Sequence, residues 1–385
     1  MKSQAMLVWR KAHHEPVCRF GIAGDFLPAA GLSPAGGETW SGQAKPLAAL
    51  FRQLEFSIVN LECPVGVGEI PPRVKASLGD SFAAETSCLD YLRALGVSVV
   101  GLANNHLYDY GSSGAERTLE NVRKRFSACG FDRTLGDAPS VSIRETSQDL
   151  RIGIWAAGRN LPDAASRSSA GIEPATRERA AQALGQMETR GVRCRLAFLH
   201  AGAEGTNYPD PEDAEFMEEL AQMGFDVIAA CHSHRISGYQ TMRGKNGTAH
   251  CFYGLGSLSS GVLYSPLEHE GILARISLDA SGAVSEVEAQ PIYLDQRGWG
   301  TVPSRQQSEM ILHRFQAVSA SVEDGSYRQQ FYRDISRDMM GAQWRDVRIA
   351  FERAGLRGIL NKLTRMRPAH VRRLYHKSLR SIGLD

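Results

Sequence analysis

The chain has 385 residues, 43% of them hydrophobic and 22% charged, with a formal net charge of +2. This is the composition of a soluble globular protein with a sizeable core, in one large domain or two ordinary ones. The balanced charge gives no global field towards nucleic acid or a membrane surface, and no run of about 18 apolar residues predicts a transmembrane helix.

The first residues do not read as a signal peptide, because the longest apolar stretch, Ala5 to Trp9, is too short. A cytoplasmic chain is the expectation. The seven cysteines, 18, 63, 88, 129, 194, 231 and 251, are odd in number, scattered and without a CxxC pair. Free thiols in a reducing compartment are the simplest reading.

Along the chain, short apolar runs recur that stop at polar, potentially metal-binding residues. Cys18–Ala23 leads into Gly24-Asp25. After a helix-like segment, 46–54, Phe56–Val59 leads into Asn60-Leu61-Glu62. A second helix-like segment, 86–95, precedes Val97–Ala103, which leads into Asn104-Asn105-His106. Helix-like segments at 113–129 and 174–190 follow, then Arg195–Leu199 leading into His200. The segment 211–223, with its Asp210-Pro211-Glu212-Asp213 start signal, precedes Asp226–Ala230 and Cys231-His232-Ser233-His234. Each apolar run has the length and composition of a buried strand.

Strands alternating with helices predict an α/β fold with a largely parallel sheet. Ligands in such sheets bind beyond the carboxyl ends of the strands, where all five polar clusters fall. From about residue 244 to 294 the pattern changes: 250–253, 272–278 and 284–294 read as antiparallel strands completing a second sheet. Residues 305–385 read as helices, and the last 25 residues carry seven Lys or Arg against one acid. A domain at 17–295 and a basic helical extension at 305–385 are the expected organisation.

A two-metal centre requires a bridging carboxylate, imidazole and oxygen ligands, and a proton donor for the leaving atom. The five strand ends supply that set. Singly, each member has a structural reading: Asp25 as a turn cap, Asn104 and Asn105 as turn residues, His106 and His200 as satisfied core histidines. Two neighbouring imidazoles, His232 and His234, at an apolar strand end are costly without partners. Cys63 and Cys231 flank the proposed ligands and read as small buried thiols, with thiolate ligation the alternative. Arg159, Glu204 and Tyr208 are candidates for lining a substrate pocket, with surface or turn positions the alternative. The basic tail reads as a solvated helix face, with a polyanion or membrane contact the alternative.

The segments GIAGDFL, FSIVNLECPV, VVGLANNHLYDYG, LAFLHAGAEG, AACHSHRISGYQ and CFYGLGSL, in that order, resemble the CapA family over roughly residues 17–295. That family is named for capsule and poly-γ-glutamate synthesis and lies within the calcineurin-like metallophosphatase superfamily. The resemblance implies a four-layer α/β/β/α metallophosphatase-like sandwich with metals at one end. By the same resemblance Asp25 and His234 bind a first metal, and Asn105, His200 and His232 a second. Glu62 bridges the two, and His106 acts as the outer acid oriented by Asp109. The chain departs from the wider pattern in four places. Phe26-Leu27 follows Asp25 where Asp-x-His is usual, which removes one imidazole from the first metal. Ala201 replaces a Trp, Ser233 a Pro, and Gly256-Ser257 a Gly-Asn.

Three functions suit this set. The first is a metal-dependent hydrolase of a phosphoester or amide, in making an anionic polymer such as capsule or poly-γ-glutamate. The second is a metal-dependent epimerase or isomerase acting at Cα of a peptide or amino-acid derivative. The third is a non-catalytic assembly subunit of polymer-synthesis machinery, docked through the helical tail. The mixed oxygen and nitrogen ligands suit two ions of Mn, Fe or Zn almost equally. A small-molecule, peptide or polymer substrate is expected, and no nucleic acid.

Overall fold

The computed structural model describes residues 5–337, apart from 13, 30–31, 74–80, 133, 135–137, 162 and 167–168. Two sheets lie face to face. In the first, the strand order is Met6–Arg10, Val284–Leu294, Glu270–Leu278, Cys18–Leu27, Phe56–Leu61, Val99–Gly101 and Ser127–Cys129. In the second it is Tyr239–Gly244, Gly247–Phe252, Val227–His232, Cys194–Ala201, Arg151–Gly158 and Val141–Glu145. In the second sheet antiparallel strands flank the parallel ones on both sides, whereas in the first they flank one side and the parallel run reaches the other edge.

Side chains alternate along these strands, so each sheet fills two cores. Phe20, Ile22, Ile58 and Val99 of the first sheet meet Ile154, Leu196, Phe198 and Ala229 of the second in a core between the sheets. Ala23, Val59 and Val100 face the other way, against Leu47, Leu92 and Val122 of helices Trp40–Phe51, Leu89–Leu95 and Gly111–Arg123. Trp155, Leu199 and Ile228 likewise meet Ala183 and Met217 of helices Arg177–Thr189 and Pro211–Met223. The four layers α/β/β/α expected from the sequence are therefore present. Helix Arg305–Glu323 starts at a Ser304/Gln307 capping box and inserts Ile311 and Phe315 into the core between the sheets. Residues 327–337 are also helical; the basic tail beyond them lies outside the described residues.

Two sequence expectations need correction. The helix expected over 113–129 is Gly111–Arg123, and Ser127–Cys129 is an edge strand parallel to Val99–Gly101. Lys124, Arg125 and Phe126 carry the chain between them, with no Gly or Pro to mark the break. The late antiparallel strands are shared between the sheets. The hairpin of Tyr239–Gly244 and Gly247–Phe252 edges the second sheet, whereas Glu270–Leu278 and Val284–Leu294 widen the first. The strand Arg151–Gly158, inside the second sheet, was missed because its apolar run ends at no polar ligand.

Close packing seats the turn before Ser257–Ser260, a strand paired with Cys18–Leu27, at the ligand-bearing end. A Cβ on Gly24 would lie 1.8 Å from the Gly256 carbonyl oxygen. Only glycine permits that approach, which lets the Asp25 amide donate to the same oxygen at 3.1 Å. Farther along, Arg179 is buried and grips Glu173 with Nε and Nη2 at 2.9 and 2.7 Å, while also pairing with Asp132. Trp155 Nε1 donates to Glu173 at 3.0 Å.

Breaking a buried ion network by removing one member strands its partners. Arg179→Met is therefore expected to lower unfolding free energy by about 3–5 kcal/mol, measured by urea denaturation. His250 gives a second test. It is buried, its Nδ1 hydrogen-bonded with the Tyr239 hydroxyl at 2.7 Å, and burial pushes its pKa down from 6.5 to about 4. A depressed histidine pKa stabilises the fold fully above 6.5 and loses that contribution as pH falls towards 4. Wild type should lose stability across this window more steeply than His250→Phe; parallel slopes would refute the assignment.

Candidate metal centre

The candidate ligands sit where the parallel strands of both sheets end. Asp25 lies near the end of Cys18–Leu27, Glu62 directly follows Phe56–Leu61, and Asn105 and His106 follow Val99–Gly101. The second sheet contributes His200 within Cys194–Ala201, His232 at the end of Val227–His232, and His234 just beyond. Parallel pairing sets His200 opposite Cys231 and Ala201 opposite His232.

Asp25 connects the two sheets. Its Oδ1 accepts from Asn60 Nδ2 at 2.7 Å, and its Oδ2 accepts from the His232 backbone amide at 2.9 Å. His232 and His234 have φ of 117° and 55°, backbone conformations that side-chain-bearing residues seldom adopt. Such strain costs of order 1–3 kcal/mol per residue and persists only where the surroundings enforce it. The Asp25 carboxylate is one enforcing contact.

The side chains converge on Glu62. Its Oε1 lies 3.5 Å from His200 Nε2 and its Oε2 3.7 Å from His234 Nδ1, while His234 Nδ1 is 3.4 Å from Asp25 Oδ2. His200 Nε2 also meets Asn105 Oδ1 at 2.8 Å. The rings of His200 and His232 are 4.4 Å apart. Glu62, His200 and His232 present ligand atoms within 4.8 Å of one another, as do Asp25, Glu62 and His234. Glu62 is common to both groups. A third group, Asp25, His200 and Cys231, meets the same spacing.

Burial and charge set the protonation. Burial, reinforced by the Asp25 charge, pushes the Glu62 carboxyl well above the carboxylate range. Burial would lower His234, but Glu62 and Asp25 outweigh it and raise its pKa to about 10. Burial would raise Asp25, yet the neighbouring His234 and His200 and the Asn60 hydrogen bond bring it below the usual carboxylate range. Burial also keeps His200 and His232 below the ordinary histidine value. Those two rings are thus neutral, the form that ligates a cation.

A divalent cation fits this chemistry. Both oxygens of Glu62 and Nδ1 of His232 are buried with no hydrogen-bond partner among the described residues. Buried polar atoms are normally satisfied, and a carboxylate in particular is costly without a partner. The chain therefore holds a buried His/Asp/Glu cluster able to accept a metal ion.

The remaining sequence candidates occupy distinct places. His106 Nδ1 lies 2.9 Å from Asp109 Oδ2, which also accepts the Phe82 amide at 2.8 Å. Arg159 is held by Asp213 at 3.1 Å and lies over the Phe216 ring at 4.3 Å. Glu204 is exposed on the loop after Cys194–Ala201, near enough to influence Glu62, His232 and His234 electrostatically. Tyr208 is half-buried and packs against the core of the second sheet's helical layer. Two positioning amides were not among the candidates. Asn60 joins Asp25 to Asn104, whose Nδ2 donates to Asn60 Oδ1 at 3.1 Å and to the Leu61 carbonyl at 2.8 Å. The polar Asn60 inside the otherwise apolar run FSIVNL was the available signal.

Asp25 can be tested without any metal. In chelator-treated protein, Asp25→Ala leaves two buried donors without an acceptor, and each should cost roughly 1–3 kcal/mol. Urea denaturation measures the loss; unchanged stability would remove Asp25 from its connecting role.

Residues 19–261 match the family described as "Bacterial capsule synthesis protein PGA_cap". Similar proteins include the PGA biosynthesis protein CapA of Bacillus subtilis, 25% identical over 216 residues, 54% of either chain. Another is the capsule biosynthesis protein CapA of Bacillus anthracis, 22% identical over 208 residues, 51% of this chain and 48% of that one. The chain spans about half the length of these curated relatives. Among solved structures, Haemophilus influenzae NAD nucleotidase aligns with TM-score 0.45 and 13% identity, over 82% of this chain and 60% of its own. A 5'-nucleotidase precursor from Thermus thermophilus gives TM-score 0.45 and 14% identity, over 77% of this chain and 58% of its own. Structural likeness at that level says nothing of substrate. The family match covers more than half of the chain and includes every strand end described above, and the chain belongs to the PGA_cap family of bacterial capsule synthesis proteins.

Proposed function

We propose that this protein is a two-metal hydrolase acting on a phosphoester or amide bond during synthesis of an anionic capsule-type polymer. The observation that carries the proposal is Glu62, a fully buried carboxyl whose two oxygens have no hydrogen bond among the described residues, one turned to each histidine group. Asp25 and His234, the latter giving up its proton as the cation binds, would hold one cation and Asn105, His200 and His232 the other, with Glu62 between them. When bound, such cations supply Lewis-acid polarisation of a phosphoryl or carbonyl oxygen.

The chain's own residues supply orientation and proton transfer. Asp109 accepts from His106 Nδ1, so the ring exchanges its working proton at Nε2. The Phe82 ring lies tilted at 51° against the His106 ring, with centroids 4.7 Å apart, and restricts its rotation. As water adds to the phosphorus or carbonyl carbon and the scissile bond breaks, His106 Nε2 would give a proton to the leaving atom. The substrate is read as a small molecule, a peptide or the polymer itself, drawn from the capsule-synthesis context of the family.

The test combines metal analysis with a substrate panel. Protein purified with Mn²⁺, Fe²⁺ or Zn²⁺ should retain two ions and hydrolyse some member of a phosphoester and γ-glutamyl amide panel. His106→Ala should keep its metals and lose about 10²–10⁴-fold in rate. Full biological function in a metal-loaded His106→Ala variant would instead indicate an assembly subunit.

A further inference from the structure

The geometry assigns Cys231 a positioning role: its sulfur is the acceptor that fixes His200 with Nδ1–H and turns the Nε2 lone pair towards a cation. This rests on the metal reading proposed above. His200 is fully buried between two different surroundings. On the Nε2 side lie Asn105 Oδ1 at 2.8 Å and Glu62 Oε1 at 3.5 Å, with His232 completing the ligand group. On the Nδ1 side, among the described residues, lie Asn60 Nδ2 at 3.4 Å, Cys231 Sγ at 3.7 Å and Asp25 Oδ1 at 4.0 Å.

A neutral imidazole that gives its Nε2 lone pair to a cation carries its hydrogen on Nδ1, and that hydrogen needs an acceptor. Asn60 Nδ2, which bonds Asp25 at 2.7 Å, is a donor only and cannot accept this hydrogen. Asp25 Oδ1, at 4.0 Å, is beyond hydrogen-bond range. Sulfur has a larger radius, and 3.7 Å is within its reach. The thiol hydrogen points elsewhere, donating to the Leu199 carbonyl at 3.5 Å, which leaves a sulfur lone pair for His200.

The strand register produces this contact. His200 and Cys231 are direct neighbours across parallel strands, so the thiol is fixed by the sheet itself. Among the described residues neither Glu62 oxygen nor Nδ1 of His232 has a hydrogen bond, which independently marks the Nε2 side as the cation side. Cys231 faces the opposite nitrogen. It is therefore a positioning residue, and direct ligation by its sulfur is not expected.

The test uses the full chain and isothermal titration with Mn²⁺, comparing wild type, Cys231→Ala, Cys231→Ser and His232→Ala. Cys231→Ala should bind about 10–100-fold more weakly, the usual effect of losing a group that orients a ligand histidine. Cys231→Ser should lose less, because its hydroxyl retains a lone pair. Circular dichroism of the metal-free variants checks folding, and if the alanine variant misfolds, a Cys231→Ser affinity equal to wild type with His200 carrying Nε2–H overturns the assignment. Nitrogen NMR of the Zn²⁺-loaded protein should show His200 with Nδ1–H; Nε2–H would overturn it. In the Co²⁺-loaded protein, a thiolate-to-cobalt charge-transfer band would make Cys231 a ligand and also overturn it. If wild type binds no divalent ion, the metal reading itself falls. If His232→Ala weakens binding and Cys231→Ala does not, only the role of Cys231 falls.

Discussion

The carboxylate of Asp25 ties together the two sheets on which the candidate centre is built. One oxygen takes the Asn60 amide within its own sheet, and the other takes the His232 amide from the opposite sheet. The second contact helps to hold the left-handed turn that carries His232 and His234. Without that turn the two imidazoles would not face Glu62. The same group is thus an anchor for the fold and a candidate ligand, which explains why it tolerates complete burial.

The centre is arranged as a gradient of charge. Glu62 and Asp25 bring two buried carboxyls together, and His234 answers them with a proton of its own. Such a group of charges, removed from water, is expensive unless each member has a partner. Hydrogen bonds satisfy Asp25 but leave both oxygens of Glu62 open. A cation would complete what the protein's own groups leave unpaired. The amides of Asn60 and Asn104 and the carboxylate of Asp109 surround this core and fix the orientation of its members.

Family membership and site geometry speak to different questions. The PGA_cap match places the chain among bacterial capsule synthesis proteins and includes all of the strand ends. The chemistry rests on the residues themselves, as in any fold that hosts more than one function. Arg159 illustrates the distinction. It is a candidate for lining a substrate pocket, and its guanidinium lies against Asp213 and Phe216 of helix Pro211–Met223.

The sequence determined the local character of the elements and the order of the candidate ligands. Apolar runs ending in Asp, Glu, Asn or His identified five buried strands, and the Asp210-Pro211 signal fixed a helix at Pro211–Met223. These features follow from short-range rules: periodicity, capping and the cost of burying polar groups. What the tertiary structure decided is pairing. No local rule says that Glu270–Leu278 joins the sheet of Cys18–Leu27, nor that His200 lies beside Cys231. The roles of Asn60 and Cys231 were hidden for the same reason, since each depends on a partner more than 30 residues away in sequence. The strand Arg151–Gly158, followed by Arg159-Asn160 rather than a carboxylate or imidazole, takes its place from its pairing with Cys194–Ala201.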